Sequence, residues 1–142
     1  MSTFHLQIVT PDRMVYDGQA ERVILRTVNG DVAILARHID FAAPLGIGEA
    51  RVTDENGKTR AGVCNSGLLS VENGVCRVMA TTFEWTEDID RERAALAQQK
   101  AEEQLKQLQR GDEQFAIAEA KLKRALARLH ATELKSAGTF AL

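Results

Sequence analysis

Near Thr86 the hydrophobic period of this chain changes. Upstream, apolar residues come in short, roughly alternating runs separated by Asp-Gly and Asn-Gly pairs. From Ile89 to Leu134 they return every three or four positions, with no proline. Alternation sends side chains to opposite faces of a strand, whereas a three-to-four spacing gathers them on one helix stripe. The pattern predicts an N-terminal antiparallel β sandwich, residues 1–85, followed by a C-terminal antiparallel α-helical hairpin, residues 86–142. It also suggests a division of labour between a docking body and a movable arm.

Four dipeptides in the first part suit positive φ and tight reversal: Asp17-Gly18, Asn29-Gly30, Asn56-Gly57 and Asn73-Gly74. Between them the strand candidates are Phe4 to Val9, Arg22 to Val28, Asp31 to Leu35, Ala50 to Thr53, Thr59 to Cys64, Leu68 to Val71 and Val75 to Thr81. Phe4, Leu6 and Ile8 share one face of the first, with His5 and Gln7 on the other. Many short strands at close spacing point to a sandwich or barrel. Ala36 to Leu45 lacks a period and reads as an ordered loop. Gly46-Ile47-Gly48 reads as a flexible joint or a close backbone approach.

Thr86 is expected to cap the first helix, with Glu87, Asp88 and Asp90 complementing the helix dipole. Ile89, Leu96, Ala97, Ala101, Leu105 and Leu108 mark its apolar stripe. Gly111 is expected to end it and Asp112 to begin the next helix, whose stripe is Phe115, Ala118, Leu122, Ala125, Leu126 and Leu129. Alanine at the seam lets helices approach closely but buries little area. At roughly 25 cal/mol per Å² such a hairpin is marginal alone and needs the β body, a ligand or a partner to hold it. The alternative is a permanently docked hairpin.

Composition narrows the function classes. The formal net charge is -2, which carries no polyanion-binding signature. No run reaches the roughly 18 apolar residues of a membrane span, and the start, Met1 to His5, lacks a secretory pattern. A cytosolic chain is therefore expected. Cys64 and Cys76 form no CxxC motif and read as reduced core thiols. His5, His38 and His130 are too scattered for a zinc site. No Ser/His/Asp or Cys/His arrangement and no phosphate loop is visible, so an independent enzyme has little support.

The helices carry the one cluster suited to a ligand. From Lys121 to His130 the second helix has Lys121, Lys123, Arg124 and Arg128 and no acid. In a hairpin closing near Gly111, Arg93 falls opposite about Leu129, so Arg93, Arg124 and Arg128 gather at the open end. Asp90 lies one turn from Arg93. Guanidinium groups match phosphate oxygens bidentately, and a carboxylate accepts from an adenine amine or a ribose hydroxyl. The competing reading is a solvated face with surface ion pairs worth about 0–1 kcal/mol each.

Over nearly its full length the chain resembles the epsilon subunit of bacterial F-type ATP synthases. The resemblance rests on the order of a β body and two helices, on Phe4-His5-Leu6-Gln7-Ile8-Val9-Thr10-Pro11, on Gly30-Asp31-Val32-Ala33-Ile34-Leu35 followed by His38, and on Ser66-Gly67-Leu68-Leu69-Ser70-Val71. Departures fall at Ala33, where the family has Gly, at Ala36-Arg37 and Asp40, where it has a Pro-Gly pair and a Pro, and at Asn65-Ser66, where Ser-Gly is usual. The resemblance implies a ten-stranded sandwich that docks on the gamma subunit of the central stalk and the membrane rotor ring of c subunits. Asp31 would face that ring; as a residue it reads equally as part of the turn after Asn29-Gly30. The resemblance also implies a hairpin that lies compactly on the sandwich or extends toward the beta subunits of the catalytic head, inhibiting ATP hydrolysis.

Nucleotide-binding members of that family carry Ile/Leu-Asp-x-x-Arg-Ala at the first helix, and Ile89-Asp90-Arg91-Glu92-Arg93-Ala94 matches every specified position. Arg124 and Arg128 stand where those members place arginines on the second helix; Lys100 stands where another can occur. The implied nucleotide set is Ile89, Asp90, Arg93, Ala94, Arg124 and Arg128, with ATP as a regulatory ligand and no required cofactor. The competing reading of the motif is a helix cap that packs the hairpin. The expected function is a non-catalytic rotor subunit, peripheral at the cytoplasmic face of the membrane. The alternative is a stand-alone adaptor or nucleotide-sensing module with a coiled-coil arm.

Overall fold

A computed structural model of the chain describes residues 2–137 and, beyond residue 132, the backbone alone. Residues 138–142 of the expected helical part, and the side chain of Leu134, lie outside the described residues. Six strands form the body: β1 (Phe4–Val9), β2 (Met14–Thr27), β3 (Gly30–Leu35), β4 (Phe41–Asp54), β5 (Thr59–Glu72) and β6 (Val75–Trp85). They run in the order β1-β6-β5-β4-β2-β3, and β1 also pairs with β2, so the sheet closes on itself. The β1–β6 pairing is parallel and the others are antiparallel. The first half of β2 pairs with β1, and its second half lies between β3 and β4.

The closure depends on bent strands. β2, β4 and β5 are each 14 residues long. Pairing lapses at one row, Gly46, Ser66 and Thr81, while the register either side is unchanged: Leu45↔Gly67 and Ile47↔Asn65, then Gly67↔Ala80 and Asn65↔Thr82. Ser66 (φ 52) and Gly67 (φ 136) leave the extended region there. β2 has register shifts of its own beside Ala20 and Ile24. Counted as two segments apiece, β2, β4, β5 and β6 reconcile six continuous strands with the ten the resemblance implies. Gly67 is obligatory at the bend, because a Cβ there would lie 1.9 Å from the Met79 carbonyl oxygen.

The core follows the expected alternation. Phe4, Leu6 and Ile8 are buried while His5 and Gln7 are half-exposed. Leu6 and Ile8 are fully buried, as are Val23, Leu25, Ile34, Val52, Leu69, Cys76 and Val78. Phe83 and Trp85 close one end, edge to face at 4.9 Å. Both cysteines are free buried thiols, and burial pushes each up to about 12.

Three expectations from sequence are corrected here. Asp17-Gly18 is not a reversal; it lies inside β2, with Gly18 opposite Leu6. Asp17 instead meets His5 at 2.5 Å across the strands, and that hydrogen bond holds its carboxyl below the usual carboxylate range. Ala36 to Leu45 is a loop only as far as Asp40. From Phe41 onward it is β4, paired Phe41↔Val71 through Leu45↔Gly67, so tertiary pairing overrides the weak local propensity of Ala42-Ala43-Pro44. Gly46-Ile47-Gly48 lies within the same strand and is no flexible joint. The close approach is real at Gly48, where a Cβ would meet the Arg26 Cβ at 2.7 Å. The other turn pairs behave as expected, with Gly30, Gly57 and Gly74 all at positive φ.

The arm comprises α1 (Arg91–Gln107) and α2 (Glu113–Ala137), joined through Gly111 at φ 97. The carbonyl of Asp112 accepts from Phe115 and Ala116 and so opens α2. The seam is alanine-rich as expected: Ala94, Ala101, Ala118, Ala125 and Ala131 are buried. Leu96 is a correction, being 62% exposed. It sits two residues past Ala94, about 200° around the helix from the seam. Leu126, at 44%, lies at the edge of its stripe. α2 rests against β4 and β5, so the arm is folded back on the body.

The bend row gives a paired stability test by urea unfolding. Gly67→Ala is expected to lose about 3 kcal/mol or more through the clash and the positive φ. Ser66→Gly is expected to gain ~0.5–1 kcal/mol, since it relieves a left-handed non-glycine residue and gives back part of that in unfolded-state entropy. A thiol reagent at mildly alkaline pH should leave both cysteines unmodified until denaturant is added, because the thiolate is the reacting form.

Candidate functional site

Between the body and the arm the chain makes a compact hinge. Thr86–Asp88 form a 3-10 turn, closed by the Ile89 N–H donating to the Thr86 carbonyl at 3.2 Å. Ile89 and Asp90 then return to extended backbone before α1 begins. Thr86 is therefore not the cap of α1. It is buried beside Trp85, and its hydroxyl has no hydrogen-bond partner among the described residues. Asp90 takes the role: its carboxylate accepts from the Arg93 N–H at 3.2 Å, and its carbonyl accepts from the Ala94 N–H at 3.1 Å. Thr86 and Asp90 are both good cap residues; the extended backbone at Ile89 and Asp90 starts α1 at Arg91 and so gives the position to Asp90.

The hinge is pinned from the sheet. Arg60 on β5 stacks over the Trp85 ring at 3.8 Å and pairs with Glu87 at 2.5 Å. A cation over an indole face is worth about 0.5–1 kcal/mol at an exposed site.

A cavity of about 340 Å³ opens at the start of α1, between Glu84 at the end of β6 and Arg128 on α2, within the range of ~300–1,000 Å³ usual for small-ligand sites. Ile89, Asp90, Arg93, Ala94 and Arg128 line it, together with Glu84 and Asp88. Five of the six residues named for a nucleotide thus wall one space. Arg124, the sixth, is half-buried on α2 and is not in the wall. Lys100 is exposed further along α1.

The electrostatics of the cavity are mixed. Arg128 is engaged by Glu84 from β6, with Nε at 2.8 Å and Nη2 at 2.5 Å from the same carboxylate oxygen. Three carboxylates, Glu84, Asp88 and Asp90, therefore stand with two guanidinium groups. Glu84 is the residue that sequence reasoning missed. Its place in the strand shows it near Phe83 and Trp85, but nothing in the pattern pairs β6 with α2. Asp31, named for contact with a rotor ring, is the second residue of β3, opposite Arg26, and pairs with it at 2.5 Å, its side chain 58% exposed. Among the described residues no group of three or more His, Cys, Asp or Glu is placed to hold a metal, and no helix is long and apolar enough to cross a membrane.

Comparison with known proteins assigns both parts. Residues 3–86 match the ATP synthase delta/epsilon chain β-sandwich domain, and residues 87–133 match its long α-helix domain. The chain belongs to the ATP synthase delta/epsilon chain family. Among its relatives is the ATP synthase epsilon chain of Caldicellulosiruptor bescii, 38% identical over 133 residues, covering 94% of this chain and 96% of the relative. The epsilon chain of Bacillus licheniformis is 40% identical over 129 residues, covering 91% and 97%. Of solved structures, a chain of the Euglena gracilis mitochondrial ATP synthase OSCP/F1/c-ring assembly superposes with a TM-score of 0.78. That likeness covers 96% of this chain and 82% of the other at 24% identity, and so speaks for the fold. Membership of the delta/epsilon chain family favours an ATP synthase subunit over a stand-alone adaptor. It leaves the assignment of individual site residues to geometry.

The cap role of Asp90 is separable from any role of its charge. Asp90→Ala should cost about 1 kcal/mol of stability, whereas Asp90→Asn, an equally good cap, should cost a few tenths. Thermal unfolding of the two variants side by side checks this.

Proposed function

We propose that this chain is a non-catalytic central-stalk subunit that couples proton flow to ATP synthesis. In this reading the β body docks on the gamma subunit and on the ring of c subunits, with Asp31 on the ring side. The complex holds the chain peripherally at the cytoplasmic face of the membrane. The helical arm regulates ATP hydrolysis, staying folded in one state and reaching toward the beta subunits in the other.

We further infer that ATP is the ligand that holds the arm folded. The observation that carries this is the single cavity walled by Ile89, Asp90, Arg93 and Ala94 from the start of α1 and by Arg128 from α2. A ligand there touches both helices and the sheet, so it favours the folded arm over the extended one. The Asp90 carboxylate suits an adenine amine or ribose hydroxyl, and Arg93 and Arg128 suit phosphates. Arg124 lies one turn before Arg128, about 6 Å back along the helix, within reach of an extended polyphosphate chain. Ligand at ten times its dissociation constant favours the folded state by ~1.4 kcal/mol. That biases an arm near balance and does not override a large partner interface.

Calorimetric titration of the full chain with ATP tests the sensor reading. The expected outcome is saturable binding that weakens by about tenfold or more in Arg93→Ala, the loss typical of a charged hydrogen bond. No heat at millimolar nucleotide, or binding unchanged in the variant, would sink it while leaving the stalk assignment in place. That assignment is tested separately by whether the chain co-purifies with a gamma subunit and a c ring.

A further inference from the structure

Three of the four asparagines, Asn29, Asn56 and Asn73, precede glycine, and all three are exposed at turns of the β body. An Asn-Gly pair is chemically reactive as well as conformationally useful. Glycine has no side chain to hinder approach of its nitrogen to the asparagine Cγ. The three pairs are alike in sequence but not in what holds them.

Two of the turns are tied down. Gly30 belongs to β3, opposite Thr27. The Thr27 hydroxyl donates to the Gly30 carbonyl at 2.7 Å and accepts from the Asn29 N–H at 3.2 Å. The Gly57 N–H donates to the Asp54 carbonyl at 3.0 Å. The Asp54 carboxylate accepts from the Asn56 and Lys58 N–H groups, each at 2.9 Å. The third turn is looser. Asn73 (φ 51) and Gly74 (φ 78) make the two-residue reversal between Glu72 and Val75. Among the described residues the Gly74 N–H donates to no acceptor. The Asn73 N–H donates to the Asp40 carboxylate at 3.1 Å, which ties this turn to the loop between β3 and β4.

We propose that Asn73 is a self-modification site, losing its side-chain amide to attack by the Gly74 nitrogen. That nitrogen gives its proton to hydroxide and bonds to the Asn73 Cγ. The bond from Cγ to the amide nitrogen breaks, and ammonia leaves with a proton taken from water. Water then opens the five-membered imide at one of its two carbonyls, leaving aspartate or isoaspartate. No oxidant, reductant or enzyme takes part. An N–H already donated to a carbonyl keeps its proton and its position, so Gly57 reacts more slowly, and a glycine fixed in a ladder, as Gly30 is, cannot swing toward its neighbour. The product sets a second carboxylate near Asp40, where like charges repel. Isoaspartate also routes the main chain through Cβ, one carbon longer than a two-residue reversal accommodates. Modification therefore undoes the tie between this turn and the loop that carries Asp40.

Peptide mass mapping of the full chain, warmed at mildly alkaline pH, tests this. New acid should appear at Asn73 about fivefold faster than at Asn29 or Asn56, the ratio for one hydrogen bond fewer to break. In concentrated urea the three rates should converge. In the isolated isoaspartate form, the amide of residue 73 should exchange with solvent faster than in the fresh chain. Faster reaction at Asn29 or Asn56, or the same ratio of rates in the folded and the denatured chain, overturns the site. An unchanged amide at residue 73 overturns its effect on the loop.

Discussion

The bend row across β4, β5 and β6 is the constraint on which the rest of the structure depends. A flat strand of 14 residues would run about 46 Å and leave one face of the sheet in water. The lapse in pairing at Gly46, Ser66 and Thr81, with Ser66 and Gly67 out of the extended region, bends the sheet and lets β1 close against both β6 and β2. Only then do Leu6, Ile8, Leu69 and Val78 have an interior to share. The requirement falls hardest on Gly67, because the Met79 carbonyl occupies the space where a side chain would begin. The neighbouring Ser66 meets the same requirement at φ 52 with a side chain in place. It stands where the resemblance leads one to expect glycine, as does Arg37 at φ 66. The conformation is dictated by the fold, and the residue accommodates it.

The body and the arm differ in what holds them. In the body, large aliphatic side chains are fully removed from water, at about 1.5–3 kcal/mol each. Along the helix seam the buried residues are alanines, each contributing one methyl, or about 0.8 kcal/mol. The arm thus borrows stability from its docking on β4, β5 and the hinge. Among the described residues its polar contacts with the body, Arg128 with Glu84 and His130 with Glu49, involve partly exposed groups, where even an ion pair is worth about 0–1 kcal/mol. Terms of this size leave the arm's position sensitive to modest influences that would not disturb the body. Arg60, stacked on Trp85 and paired with Glu87, ties the start of the connector to the sheet.

What could be read from the sequence divides along physical lines. The Asn-Gly hairpins were legible because positive φ is a local demand that few residues meet. Asp17-Gly18 has the same chemistry but is held extended by pairing with β1, a contact with no local signal. The start of β4 was hidden for a related reason: Ala42, Ala43 and Pro44 are poor strand formers, and the strand exists because β5 lies beside it. In the arm, the helical period located the hairpin and brought Arg93 to the level of Arg128, since both depend on rise per residue alone. Leu96 fails because the stripe is set by small residues, and hydrophobicity points past them. Glu84 could not be found, because its pairing with Arg128 of α2 is a tertiary fact.

Capping α1 would not prevent Asp90 from taking the binding role proposed for it. An ionised carboxylate has two oxygens and about four acceptor positions, and capping α1 uses one of them on the Arg93 N–H. Arg128 is in the opposite situation. Its Nε and one terminal nitrogen already converge on Glu84, so an incoming phosphate must either displace that carboxylate or use the remaining guanidinium donors. The first course frees Glu84 as an unpaired, partly buried acid and costs part of what the phosphate contributes. The second keeps the α2–β6 contact and adds to it. Only the second strengthens docking of the arm while a ligand is bound, so the side of the guanidinium that meets the anion decides whether binding tightens the hinge or loosens it.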